Sequence, residues 1–160
     1  MSTMTATPTS RRSLFGRLAP IALILLASGS VHAQQTNSLI LSGSAEVPPV
    51  TTSAAGSGQI IVHADRSLSG TIKTSGMVPT AAHIHEAAVG RNGPPIVTLS
   101  KGSDGSFSVP AGAKLNDAQH ASYLAGQLYV NVHSAAYPDG EIRGQLMRSE
   151  AAGEPKRSAY

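Results

Sequence analysis

The chain has 160 residues, no cysteine, and twelve Lys and Arg residues against nine Asp and Glu residues, which gives a formal net charge of +3. The excess comes from Arg11, Arg12 and Arg17, so the chain after residue 33 carries nine basic and nine acidic residues and is neutral. A neutral domain does not favour a nucleic-acid partner. Because no disulfide can form, packing, or packing together with a metal ion, must hold the fold.

The first 33 residues have the layout of an export signal. Basic residues precede an apolar run over 18–27, and Val31 and Ala33 fit the −3 and −1 positions of a signal-peptidase site. The run is too short to span a bilayer stably. We therefore expect cleavage after Ala33, a mature form without a membrane span, and a periplasmic or secreted location. Residues 10–15, SRRSLF, also resemble the twin-arginine export motif, and both export routes stay open.

After the signal, several short segments alternate apolar and polar residues with a period of two, which predicts half-buried strands. Pro48 and Pro49 should end the first of them, because proline cannot donate to a strand ladder. We expect the second and third segments, and the last two, to form hairpins. In chain order the segments are 37–47, 58–64, 68–76, 81–87, 96–100, 107–110, 126–134 and 141–148.

Residues 115–127 break this pattern and predict one short helix. Asn116 can cap its N-terminus with Gln119 completing a capping box, and Gly126 can supply the left-handed residue that ends it. Residues 149–160 are polar and predict a flexible tail. We therefore expect residues 34–148 to form one all-β domain, a β-sandwich or flattened barrel with one short helix.

Two predicted strands carry histidines in positions that favour a metal site. His83 and His85 share one face of their strand, and His133 lies with Tyr129 and Asn131 on one face of another. If these strands meet, three imidazoles converge as ligands that suit copper, or less well zinc. The alternative is a polar sheet face whose histidines bind water and no ion.

Outside this group, His63 and His120 are interpreted as structural or solvated residues. Glu141 and Arg143 are predicted to share a face of the last strand, where an exposed ion pair would contribute little to stability. In a second interpretation, Arg143 holds Glu46 or Glu86 in a bidentate pair. Between these interpretations we favour a structural clamp.

Five ordered motifs give the chain a family resemblance. Over residues 39–146 it resembles the CHRD domain, which takes its name from chordin and is common in exported bacterial proteins. The resemblance implies an immunoglobulin-like or superoxide-dismutase-like β-barrel. In animal chordins these domains belong to an extracellular antagonist of growth-factor signalling, and no growth-factor partner is carried over to this chain. The motifs are EVPPV (46–50), AAHIH (81–85), GRNGP (90–94), YVNVH (129–133) and GEIRGQ (140–145).

The histidine strand has a second resemblance. The segment AAHIHEAAVG (81–90) is similar to the copper-ligand strand of copper/zinc superoxide dismutases. The resemblance implies that His83 and His85 are copper ligands, with His133 as a third. The chain departs from that family, because no histidine-rich zinc loop follows residue 85 and no disulfide is possible. A mononuclear copper site therefore fits this chain better than a full dismutase.

Two functions follow from these patterns. The first is an exported, non-catalytic binding or scaffold β-domain whose partner is an unidentified protein or surface ligand. The alternative is a periplasmic copper or zinc binding protein that uses His83, His85 and His133. The sequence has no serine–histidine triad, phosphate loop or paired-carboxylate pattern, which favours a non-enzyme over a hydrolase or phosphoryl transferase.

Overall fold

The computed structural model describes residues 35–147. The predicted export signal over 1–33 and the predicted tail over 149–160 lie outside the described residues. Within 35–147, no helix has the length and apolar character needed to cross a membrane.

Nine strands and one helix make up this part of the chain. The strands are β1 Gln35–Ser42, β2 Ala55–Val62, β3 Leu68–Ser75, β4 Pro79–Glu86, β5 Pro95–Thr98, β6 Ser100–Lys101, β7 Ser106–Ser108, β8 Leu128–Ser134 and β9 Ile142–Gln145. The helix, α1, spans Asp117–Leu124, and a short 3-10 turn spans Gly43–Ala45.

All strand pairs are antiparallel, and the sheet is almost closed on itself. Its strand order is β5-β4-β8-β9-β1-β2-β3-β7-β6. The two edge strands, β5 and β6, are consecutive in the chain and are separated only by Leu99, whose backbone N–H donates to the Ala82 carbonyl at 2.9 Å. One short segment therefore forms both edges of the sheet, and the expected all-β flattened barrel is confirmed.

The core consists of the side chains on one face of each strand. Val130 and Val132 of β8 lie opposite Ile84 and Ala82 of β4, and all four are fully buried. Burying one such valine or isoleucine side chain stabilises a fold by about 1.5–3 kcal/mol. Because successive side chains of a strand point to opposite faces, this packing directs the histidines of the same strands outward.

The predicted helix forms with the predicted ends. The Gln119 backbone N–H donates to Asn116 Oδ1 at 2.8 Å, and the Asn116 N–H donates to Gln119 Oε1 at 2.9 Å, so the capping box is complete. Gly126 follows the helix with φ +70°, the left-handed conformation that glycine adopts without strain.

The main departure from the predicted elements concerns the first strand, which was expected to continue to residue 47. It ends at Ser42, because the chain turns sharply at Gly43. The Gly43 carbonyl accepts hydrogen bonds from the N–H groups of Glu46 and Val50 at 3.1 and 2.8 Å. This turn directs Glu46 back over the outer face of the sheet.

Candidate metal centre

Strands β4 and β8 pair with each other, as a converging site requires. In their register His83 lies opposite Asn131, His85 opposite Tyr129, and His133 opposite Ala81. His83, His85 and His133 therefore project from neighbouring positions of one outward face. The structure brings together all three histidines that the sequence singled out.

The three imidazoles are close enough to share one ion. One ligand nitrogen from each histidine lies within 4.8 Å of the others. His83 Nδ1 and His133 Nε2 are 2.9 Å apart. Bonds of about 2.0–2.1 Å to a tetrahedral ion hold two ligand nitrogens about 3.3–3.4 Å apart. To share one ion, His83 and His133 must therefore separate by a few tenths of an ångström, and a pair 4.8 Å apart must close by somewhat more than an ångström.

Backbone carbonyls fix the orientation of two of the rings. His85 Nδ1 lies 2.9 Å from the Gly93 oxygen, and His133 Nδ1 lies 2.8 Å from the Pro138 oxygen. A carbonyl can only accept, so each Nδ1 carries the hydrogen and each Nε2 presents a lone pair. Outer partners of this kind orient and strengthen metal-ligating histidines.

Burial keeps the imidazoles in the form that binds metals. Burial lowers the pKa of His83, and the neighbouring His133 and His85 lower it further. Burial is also the main cause of the lowered pKa of His85, although its hydrogen bond to Gly93 acts in the opposite direction. Both rings are therefore neutral near pH 7, and a neutral imidazole is the metal ligand.

The family comparison agrees with the resemblance seen in the motifs. The CHRD domain family model matches residues 38–146 of the chain. The chain belongs to the CHRD domain family. No curated protein and no solved structure matches it. The likeness to copper/zinc superoxide dismutases therefore depends on the histidine motif alone.

Around the three histidines, the CHRD domain has further buried polar side chains that the sequence did not assign to a site. We call the histidines and these neighbouring side chains together the polar layer. Arg143 is 2% exposed, and its Cζ lies 3.4 Å from the centroid of the Tyr129 ring. The same Tyr129 ring stacks on His85 at a centroid distance of 4.8 Å. The polar layer consists of Glu46, His83, His85, Tyr129, Asn131, His133 and Arg143.

Arg143 clamps a loop and does not form the expected pair with a carboxylate. Its guanidinium donates to Asn92 Oδ1, to the Ala88 carbonyl and to Gln145 Oε1 at 3.3–3.4 Å. Within residues 35–147, its side chain is in no ion pair. The loop it holds carries Gly93, the residue that orients His85. Its structural role agrees with the prediction, but the predicted partner was wrong.

The other predicted partners of Arg143 are occupied elsewhere. Glu141 Oε1 accepts a hydrogen bond from Thr52 Oγ1 at 2.7 Å, and Glu86 Oε1 accepts one from Ser122 Oγ at 2.5 Å. Glu46 interacts with Arg143 only as a nearby opposite charge.

Glu46 and Asn131 are two more members of the polar layer that the sequence did not assign to the site. Glu46 is 6% exposed, and burial raises the pKa of its carboxyl to about 7, although the Arg143 charge opposes the shift. Asn131 is 3% exposed, and its Nδ2 donates to the Asp139 carbonyl at 3.4 Å. The period-two pattern places Asn131 on the same strand face as His133. It gives the position of Asn131 but does not show that its side chain belongs to the site.

The two histidines interpreted as structural or solvated lie outside this cluster. His63 Nε2 is 2.8 Å from Ser69 Oγ in the β2–β3 hairpin. His120 is on α1, where its ring lies 6.2 Å from that of Tyr123. Neither belongs to the group of residues that could hold one ion.

Proposed function

We propose that this CHRD domain binds one divalent transition-metal ion, Cu(II) or Zn(II), through His83, His85 and His133. The observation that carries the proposal is the convergence of three ligand nitrogens within 4.8 Å. Two of the rings are already oriented by backbone carbonyls, so the rearrangement that binding requires falls mainly on His83, which must give up its hydrogen bond to His133 Nε2. Imidazole donors suit both metals, and Cu(II) is generally held more tightly than Zn(II) by the same ligands.

The metal function is proposed for an exported protein. The basic residues, the apolar run and the Val31–Ala33 cleavage pattern support a signal over 1–33, followed by a mature CHRD domain over 34–148. A periplasmic or secreted location would place the metal site outside the cytoplasm. The mature domain has no cysteine, so its fold there would depend on packing and on the bound ion. The support for this part is the sequence pattern.

A non-catalytic binding role is the second candidate, and a surface cleft favours it. The cleft has a volume of about 280 Å³ and lies between the segment that carries Glu46 and the turn between β8 and β9. Val47, Pro48, Val50 and Tyr137 give it an apolar lining. A small apolar group of a protein or surface ligand fits such a lining.

The first prediction tests the ligand set. The full chain, dialysed against zinc and then against metal-free buffer, should retain about one equivalent. The double variant His83→Ala/His85→Ala should retain almost none, because two of three ligands are lost. Metal content is measured by elemental analysis, and circular dichroism checks that the variant is folded. His133→Ala, which removes the ligand on β8, should show the same loss.

His120→Ala is the matched control, because it removes an imidazole from α1 and leaves the cluster intact. It should keep the zinc content of the unmodified chain. Equal zinc retention by the double variant and by His120→Ala would contradict the proposal.

The second prediction concerns pH. Metal affinity should be constant from about pH 8 down to about pH 6 and should then fall, because protons compete for the imidazole nitrogens. Burial lowers the pKa values of His83 and His85, so protonation of these two ligands should contribute to the loss only below the range of an ordinary histidine. A competition titration with a chromophoric chelator measures the affinity at each pH. Undiminished affinity at about pH 5 would exclude imidazole ligands.

A further inference from the structure

Three buried side-chain atoms of the polar layer make no hydrogen bond of normal geometry within residues 35–147. They are Glu46 Oε1, His85 Nε2 and Asn131 Oδ1. Each of these residues is at least nine-tenths buried, so bulk water does not compensate for the missing bonds. Buried polar atoms are almost always paired, and an orphaned group therefore indicates a missing donor or cation.

Asn131 occupies the centre of this group. It lies opposite His83 in the β4–β8 pair and opposite Arg143 in the β8–β9 pair. It also precedes His133 by two residues on the same face of β8. Its side-chain amide reaches Glu46 on one side and His85 on the other.

The orientation of the amide leaves its oxygen facing the histidines. Asn131 Nδ2 donates to the Asp139 carbonyl and lies toward the Glu46 carboxyl. The reverse orientation would place Oδ1 against the Asp139 carbonyl, where two acceptors would repel each other. Oδ1 is therefore directed toward His85.

No hydrogen atom is available between Asn131 Oδ1 and His85 Nε2. The single ring hydrogen of neutral His85 is on Nδ1, where it is bound by the Gly93 carbonyl. Two lone pairs therefore face each other in a buried place. A cation between them satisfies both.

We propose that Asn131 Oδ1 is a fourth ligand of the ion held by His83, His85 and His133, an inference that rests on the proposed function. The donor set is then three imidazole nitrogens and one amide oxygen. Four protein ligands close the coordination shell of Zn(II), as in structural sites, whereas catalytic sites keep one position for water or substrate. The site therefore holds its ion without offering it to a substrate.

The test compares the zinc affinities of the full chain and two variants by chelator competition. Asn131→Ala should bind zinc about 10- to 100-fold more weakly, because a bond to a charged group is lost. Asn131→Asp should bind it more tightly than the unmodified chain, because a charged oxygen replaces a neutral one at the same position. A purely structural Asn131 predicts the opposite for Asp, since the new carboxylate would face Glu46 and the Asp139 carbonyl. Asn116→Asp is the matched control, because aspartate caps a helix as well as asparagine does and Asn116 is exposed.

A second measurement needs no variant. With the asparagine side chains labelled with ¹⁵N, the Asn131 amide resonance should shift when one equivalent of zinc is added, whereas that of Asn116 should not. Unchanged zinc affinity in both Asn131 variants, together with loss of zinc in the histidine variants, would overturn the fourth ligand and leave the proposed function intact. If the unmodified chain binds no zinc, both fail.

Discussion

Gly140→Ala is expected to destabilise the fold by about 3 kcal/mol, because it combines backbone strain with a collision in the polar layer. Gly140 has φ +135°, a conformation that L side chains rarely adopt. A Cβ atom there would lie 2.5 Å from Asn131 Nδ2 and 2.7 Å from Glu46 Oε1. Both neighbours are buried and cannot withdraw into solvent. The free energy of unfolding is measured in urea, with the unmodified chain measured in parallel.

Gly112→Ala separates the two causes. Gly112 has φ +79°, but a Cβ added there has no heavy atom within 4 Å. Its substitution should cost only the strain of a left-handed alanine, about 1–2 kcal/mol. If Gly140→Ala lowers the free energy of unfolding no more than Gly112→Ala does, the prediction that Gly140 packs closely against Asn131 and Glu46 would be wrong.

The parts of the fold that the sequence predicts well are those set by local geometry. The capping box at Asn116 and Gln119 specifies a helix start through contacts only three residues apart. The alternation in β4 and β8 specifies which side chains face outward, because a strand has no other way to bury Ile84 and Val130. The alternation alone therefore places the three histidines on the outward faces of two strands.

The parts that were missed depend on contacts between distant segments. A pattern of alternating residues does not show that Gly43 reverses the chain and places Glu46 over β8 and β9. The alternating pattern also does not predict the partners of Arg143. Its guanidinium donates to Asn92 Oδ1, which is 51 residues away in the sequence. Residues 96–100 read as one strand, yet Leu99 divides that segment between the two edges of the sheet. Only closure of the barrel decides this division.

The segments that carry the family resemblance meet in the polar layer. The first motif supplies Glu46, the second supplies His83 and His85, and the fourth supplies Asn131 and His133. The third motif supplies the loop whose Gly93 carbonyl orients His85. The fifth motif supplies Arg143, which holds that loop, and Gly140, which lies against Asn131 and Glu46. In chain order the five motifs span 46–50, 81–85, 90–94, 129–133 and 140–145. The polar side chains of these motifs therefore meet on one face of the barrel, which is the face proposed to bind the ion.

Glu46→Gln is expected to remove a pH dependence of stability that has the opposite sign to that of most carboxylates. Burial raises the pKa of the Glu46 carboxyl from 4.5 to about 7, so the folded chain holds its proton over a range in which the unfolded chain has lost it. The contribution of the protonated group is complete below pH 4.5 and is lost as the pH rises toward about 7. One pKa unit corresponds to about 1.4 kcal/mol, so the unmodified chain should lose about 3 kcal/mol relative to Glu46→Gln over this range.

The measurement is the difference in the free energy of unfolding between Glu46→Gln and the unmodified chain, taken at several pH values with a chelator present. The histidines titrate in both proteins, so their contributions cancel in the difference. Asp104→Asn is the control of opposite sign: hydrogen bonds from Ser106 lower the pKa of the exposed Asp104 carboxyl, so its contribution is lost as the pH falls. The difference for Glu46→Gln could instead stay constant from pH 4.5 to about 7. This result would show that Glu46 is ionised in the folded chain and that Arg143 stabilises its carboxylate more strongly than the structure indicates.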